Sequence, residues 1–96
     1  MRAPQNAYAM KNYSVYIVQC ADGSLYTGIA KDLATRIEQH NLGAGAKYTR
    51  MRLPVTLVFN QTCDSRSEAL KREYAIKQLT RKQKLALILS VESTQS

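Results

Sequence analysis

The chain predicts an α+β fold in one domain, and three observations carry that reading. Two tyrosine-bearing segments, residues 13–20, rich in Val, Ile and Tyr, and residues 25–30, flank a turn signal at Asp22-Gly23, which is the pattern of an antiparallel hairpin. Ser65 with Glu68, and Thr80 with Gln83, each make a capping box, whose two side chains take up orphan amides at a helix start. The element order is therefore strand, strand, helix, strand, helix, helix, with helices free to cover a sheet. Ninety-six residues suffice for one hydrophobic core and are too few for two.

Residues 1–12 read as a flexible leader and residues 90–96 (SVESTQS) as a flexible tail, which leaves 13–89 as the domain. Branched and aromatic side chains pack well on a pleated surface, so residues 13–20 suit a strand; residues 21–24 turn, and 25–30 return. Asp32 can cap a helix from Leu33 to about Leu42, because its carboxylate accepts free amides of the first turn. Gly43-Ala44-Gly45 then stops it. Residues 53–61 read as a third strand, with Pro54 near its start because proline donates nothing to a ladder. The two capped helices run to about Leu79 and about Leu89.

An apolar content of 45% excludes a wholly disordered chain. No apolar run approaches the roughly 18 residues of a membrane helix, and the first residues lack the apolar core of a secretory signal. The cytoplasm is the expected compartment, with Cys20 and Cys63 as free thiols filling small core spaces and no ligand set for zinc. The net charge of +7 is uneven: residues 47–84 hold ten basic against three acidic side chains, and the remainder cancels. Phosphates are the polyanion such a half would attract first, although a plain solvated basic surface has the same composition. Lys47, Tyr48, Arg50 and Arg52 fall on what reads as a flexible loop, and Lys77 on the second helix. This set suits a nucleic-acid backbone, with one ring available for stacking. The loop follows a helix and does not spell G-x-x-x-x-G-K-[ST], so a nucleotide triphosphate site is excluded.

Four kinds of side chain invite a chemical reading. Glu73 points between Ala69 and Leu70, toward the apolar side of its helix. A carboxylate there needs a partner, which a divalent cation or Arg36 would supply, either as a site or as a structural ion pair. Arg36 and His40, the only histidine, are spaced i, i+4 and share a stripe expected at the rim, beside the core-facing Leu33 and Ile37. A guanidinium there can grip a phosphate oxygen, and a neutral imidazole can accept a proton near pH 7. Tyr16 and Tyr26 converge only if they share a sheet face. A two-residue turn at Asp22-Gly23 gives paired positions summing to 45 and opposes them. A loop one residue longer, or bulged at Gly23, is expected to give sums of 46 and bring them together. Otherwise they are core aromatics.

Taken in order, Ser14-Val15-Tyr16, Tyr26-Thr27-Gly28, Arg36, His40 and Glu73 resemble the GIY-YIG endonuclease superfamily. Ser14 and Val15 replace the Gly and Ile of its first motif, and Thr27 the Ile of its second. The resemblance covers residues 13–89 and is strongest to the small stand-alone bacterial (YhbQ-like) members, in LYTGI, GAKYTR and the run from Glu73 to Thr80. It implies a three-stranded antiparallel sheet flanked by helices, and metal-dependent cleavage of DNA phosphodiesters. By the same resemblance Glu73 would hold one Mg²⁺ or Mn²⁺, and Tyr16 would activate or position the attacking water with Tyr26 lining the site. Arg36 would neutralise charge growing on the phosphate, and His40 would take up a proton. The competing expectation is a nucleic-acid-binding protein of the same fold that turns over slowly or not at all.

Overall fold

A computed structural model describes residues 12–95. The expected leader therefore lies, except for Asn12, outside the described residues. The elements are β1 (Tyr13–Gln19), β2 (Leu25–Ala30), α1 (Leu33–Asn41), α2 (Lys47–Arg50), β3 (Thr56–Cys63), α3 (Arg66–Lys77) and α4 (Arg81–Gln95). The strands form one antiparallel sheet in the order β2-β1-β3, as the resemblance implies. The order of the larger elements is the one the sequence predicts. The single turn α2 is additional and replaces the expected flexible loop. α4 continues past Leu89 to Gln95, over residues that read as a tail.

The hairpin closes through Cys20 N–H to the Ser24 carbonyl (2.8 Å) and Gly23 N–H to the Cys20 carbonyl (2.9 Å). Gly23 has φ +86°, a left-handed conformation that costs glycine little. The loop is thus three residues, Ala21-Asp22-Gly23. Tyr16 pairs with Gly28 and Val18 with Tyr26, so paired positions sum to 44. The expected value of 46 is corrected, but the sum is even, and parity alone decides which face a side chain takes. Tyr16 and Tyr26 share a face.

α1, α3 and α4 start where the sequence places them. The Asp32 carboxylate accepts from Thr35 N–H (3.2 Å), and Ser65 Oγ accepts from Glu68 N–H (3.2 Å). Glu68 returns to the Asp64 amide (3.3 Å), one residue earlier than a full box. At α4 the box is reciprocal, with Thr80 N–H donating to Gln83 Oε1 (2.8 Å) and Gln83 N–H to Thr80 Oγ1 (3.2 Å). β3 begins at Thr56, three residues later than expected from position 53. Pro54 cannot donate to a ladder and stays outside the strand.

The sheet is covered on both sides. Val15, Ile17, Phe59 and Cys63 pack with Ala69, Ile76 and Ile88 of α3 and α4. Tyr16, Val18, Cys20, Ala30 and Val55 form the second cluster with Leu33 and Ile37 of α1. A bulge in β3 opposite Ile17 and Val18 lets Phe59 face the first cluster and Leu57 the second. Both cysteines are free and buried, and their places in different clusters keep the thiols apart.

Candidate active site

Tyr16 reaches the site because its neighbour across the ladder has no side chain. A Cβ built on Gly28 would stand 2.6 Å from the Tyr16 hydroxyl, so the ring lies across Gly28 and carries its hydroxyl over the edge strand β2. There Tyr16 Oη meets His40 Nε2 at 2.8 Å. Tyr26 sits beside the same imidazole, edge to face at 5.5 Å between centroids. The shared tyrosine face thus converges on the histidine.

His40 corrects one expectation. Placed at the rim by its spacing from Arg36, it is instead fully buried. The turn after α1 folds back on it: a Cβ on Gly45 would collide with His40 Nδ1. The helical turn α2 then brings Thr49 Oγ1 to 2.8 Å from Nδ1. Burial, and then the Arg36 charge, holds the imidazole below its ordinary value of 6.5, so His40 is neutral near pH 7. Burial pushes the Tyr16 phenol above 10, with Arg36 opposing the rise and Tyr26 and Glu73 adding to it. Near neutral pH the hydroxyl is therefore protonated.

Arg36 is half-buried, donates to Gln39 Oε1 (3.2 Å) and bears on both Tyr16 and His40. Glu73 lies on the packed side of α3, between fully buried Ala69 and Ile76, while Leu70 and Tyr74 turn outward. Its carboxylate acts on Tyr16, which ties α3 to the tyrosine side of the sheet. Its ion partner among the described residues is Lys77 (3.3 Å) rather than the Arg36 that sequence reasoning offered. With its side chain 18% exposed, the group is reachable from solvent. The described residues contain no cluster of three His, Cys, Asp or Glu. One carboxylate does not make a cage, but it suits a hard cation that keeps several waters and shares a substrate phosphate, as Mg²⁺ does.

The basic set divides. Lys47 and Arg50 are exposed on α2. Arg52 is committed: Nε meets Asp22 Oδ2 (3.1 Å), NH1 donates to the Tyr48 carbonyl (2.7 Å), and its guanidinium lies 3.9 Å from the Tyr48 ring centre. That ring also stacks on Tyr26 at 6.1 Å, so Tyr48 is packed into the site wall rather than carried on a free loop. Lys77 is held by Glu73. Sequence reasoning missed Thr49 and Asn41. The second clasps Val55, donating to its carbonyl (3.1 Å) and accepting from its amide (2.7 Å).

A model of the GIY-YIG catalytic domain matches residues 12–86. The chain belongs to the GIY-YIG family. A UPF0213 protein of Staphylococcus aureus is 60% identical over 79 residues, covering 82% of this chain and 96% of that protein. Two solution structures share the fold. A UPF0213 protein from Bacillus halodurans has 47% identity and a TM-score of 0.53, covering 80% of this chain and 82% of its own. A protein from E. faecalis has 40% identity and a TM-score of 0.59, covering 85% and 88%. This GIY-YIG chain is thus similar to the UPF0213 proteins. No helix among its described residues is long and apolar enough to cross a membrane.

Proposed function

We propose that this GIY-YIG domain hydrolyses DNA phosphodiesters with one divalent cation, Mg²⁺ or Mn²⁺, and with weak sequence preference. The observation that carries the proposal is the 2.8 Å contact between Tyr16 Oη and His40 Nε2, beside the Arg36 cation and the Glu73 carboxylate. A phenol protonated at neutral pH is a poor base alone. Joined to a neutral imidazole, it can take a proton from an attacking water while passing its own to His40. Arg36 grips a phosphate oxygen and offsets the charge that grows there. A cation held by Glu73 would polarise the phosphate and stabilise the leaving oxygen. Tyr26 shapes the wall, and Lys47 and Arg50 meet flanking phosphates. Phosphate contacts position a nucleic acid without reading its sequence, which supports weak preference.

A second reading is a nucleic-acid-binding protein of the same fold that turns over slowly. Two observations favour it: Tyr16 is 1% exposed, and Glu73 is already paired with Lys77. Labelled single-stranded, duplex and branched DNA, incubated with the protein and Mg²⁺ or Mn²⁺ and then with EDTA, separates the two. Metal-dependent cleavage abolished in Glu73→Ala supports hydrolysis. Cleavage that persists unchanged in Glu73→Ala contradicts the assigned role, and salt-sensitive binding without cleavage favours the second reading.

A further inference from the structure

We propose that Thr49 is a positioning residue that fixes which nitrogen of His40 is free to receive the proton. The chain of contacts has a direction. Thr49 Oγ1 donates to the Ala46 carbonyl at 3.0 Å, which uses its single proton. At the 2.8 Å contact with His40 Nδ1 the hydroxyl can then only accept, so Nδ1 carries the hydrogen. A neutral imidazole holds one ring hydrogen, and Nε2 is left with a lone pair directed at Tyr16 Oη, 2.8 Å away. The phenol donates to it. The opposite tautomer would place two donors on one contact, or turn the Tyr16 lone pair toward Nε2–H and close the acceptor that the relay needs. A second partner orienting a histidine through its other nitrogen is a recurring device at metal-bound histidines, where its removal costs roughly 10- to 100-fold in metal affinity or activity, and the same orienting logic applies to His40.

The local fold accounts for the placement. α2 is one helical turn, in which the hydroxyl at Thr49 reaches back to the carbonyl three residues earlier. Thr49 and His40 are both fully buried, so water does not compete for either contact. Gly45 lets this segment lie against the imidazole.

The relay use of the lone pair rests on the proposed hydrolysis, but the tautomer does not. His40 is the only histidine, so long-range ¹H–¹⁵N correlation on the uniformly ¹⁵N-labelled full chain reads it without assignment ambiguity. Near neutral pH and without substrate, Nδ1 is expected at the protonated, pyrrole-like position and Nε2 at the bare, pyridine-like one. Thr49→Ser should keep this pattern. Thr49→Val, which removes the acceptor, should shift the population toward Nε2–H and lower metal-dependent cleavage about 10- to 100-fold. A wild-type spectrum with hydrogen on Nε2 overturns the proposal, and that spectrum decides even where Thr49→Val does not fold. An unchanged pattern in a folded Thr49→Val also overturns it. A correct tautomer in a protein that cleaves nothing leaves the positioning intact and refutes hydrolysis instead.

Discussion

At the residue scale, Gly28 shapes the site as much as the groups with chemistry. Its missing side chain is where the Tyr16 ring lies, so Gly28→Ala must displace that ring. Overpacking of this kind costs about 1–3 kcal/mol. Denaturant unfolding should show that loss, and the Tyr16–His40 contact should go with it. Thr27, also on β2, presents a buried hydroxyl with no hydrogen-bond partner among the described residues. The resembled motif has isoleucine there. Thr27→Val should therefore raise stability by about 1 kcal/mol, since an unsatisfied buried polar group costs about 1–3 kcal/mol. A lower denaturation midpoint would show that the hydroxyl has a partner. Glu73 was legible in the sequence because a charge interrupts an apolar stripe, and stripes have a period. Thr49 was not. A threonine in a short polar stretch carries no periodic signal, and its role depends on a contact with His40 nine positions away. The burial of His40 was hidden for the same reason, because helical spacing gives a stripe but not what folds over it.

At the element scale, Asn41 ends α1 by pairing with both backbone groups of Val55. The last turn of the helix that carries Arg36 and His40 is thereby fastened to the segment entering β3. Asn41→Ala leaves the Val55 amide and carbonyl without that partner and should cost about 1–3 kcal/mol, with amide exchange at Val55 as the local readout. An unaltered exchange rate would mean the clasp holds nothing. The larger elements were readable from caps and alternation: Asp32, Ser65 and Thr80 mark the helix starts they were assigned. The four-residue α2 was not, because one turn is shorter than any helical periodicity can show. The hairpin register needed the backbone of Gly23. Sequence set the condition that the tyrosines share a face, and only the three-residue loop met it.

At the scale of the whole molecule, charge and protonation make two predictions. Lys47 and Arg50 extend outward, whereas Arg52 and Lys77 have partners of their own. Replacing both Lys47 and Arg50 with alanine should flatten the dependence of log affinity on log salt by about 2, near 0.9 for each duplex phosphate no longer neutralised. An unchanged slope would place the DNA elsewhere. The protonation prediction concerns His40. Its folded value lies below 6.5, so the unfolded chain binds the proton first as pH falls. The stability contributed by burying a neutral imidazole is fully present above about 6.5 and is lost as pH falls toward the folded value. No other histidine contributes. Urea midpoints measured across that interval should fall with pH in the wild type and stay level in His40→Gln; the opposite slope would contradict the burial.

The relay itself is tested most directly by Tyr16→Phe, which keeps the ring that crosses Gly28 and removes only the hydroxyl facing His40. Single-turnover cleavage of labelled DNA with Mg²⁺ or Mn²⁺ is the measurement, with folding and DNA affinity checked alongside. The variant should fold and bind as the wild type does while cleaving about 10²- to 10⁴-fold more slowly, the range of a lost general base. Cleavage at the wild-type rate in a folded Tyr16→Phe would contradict the account.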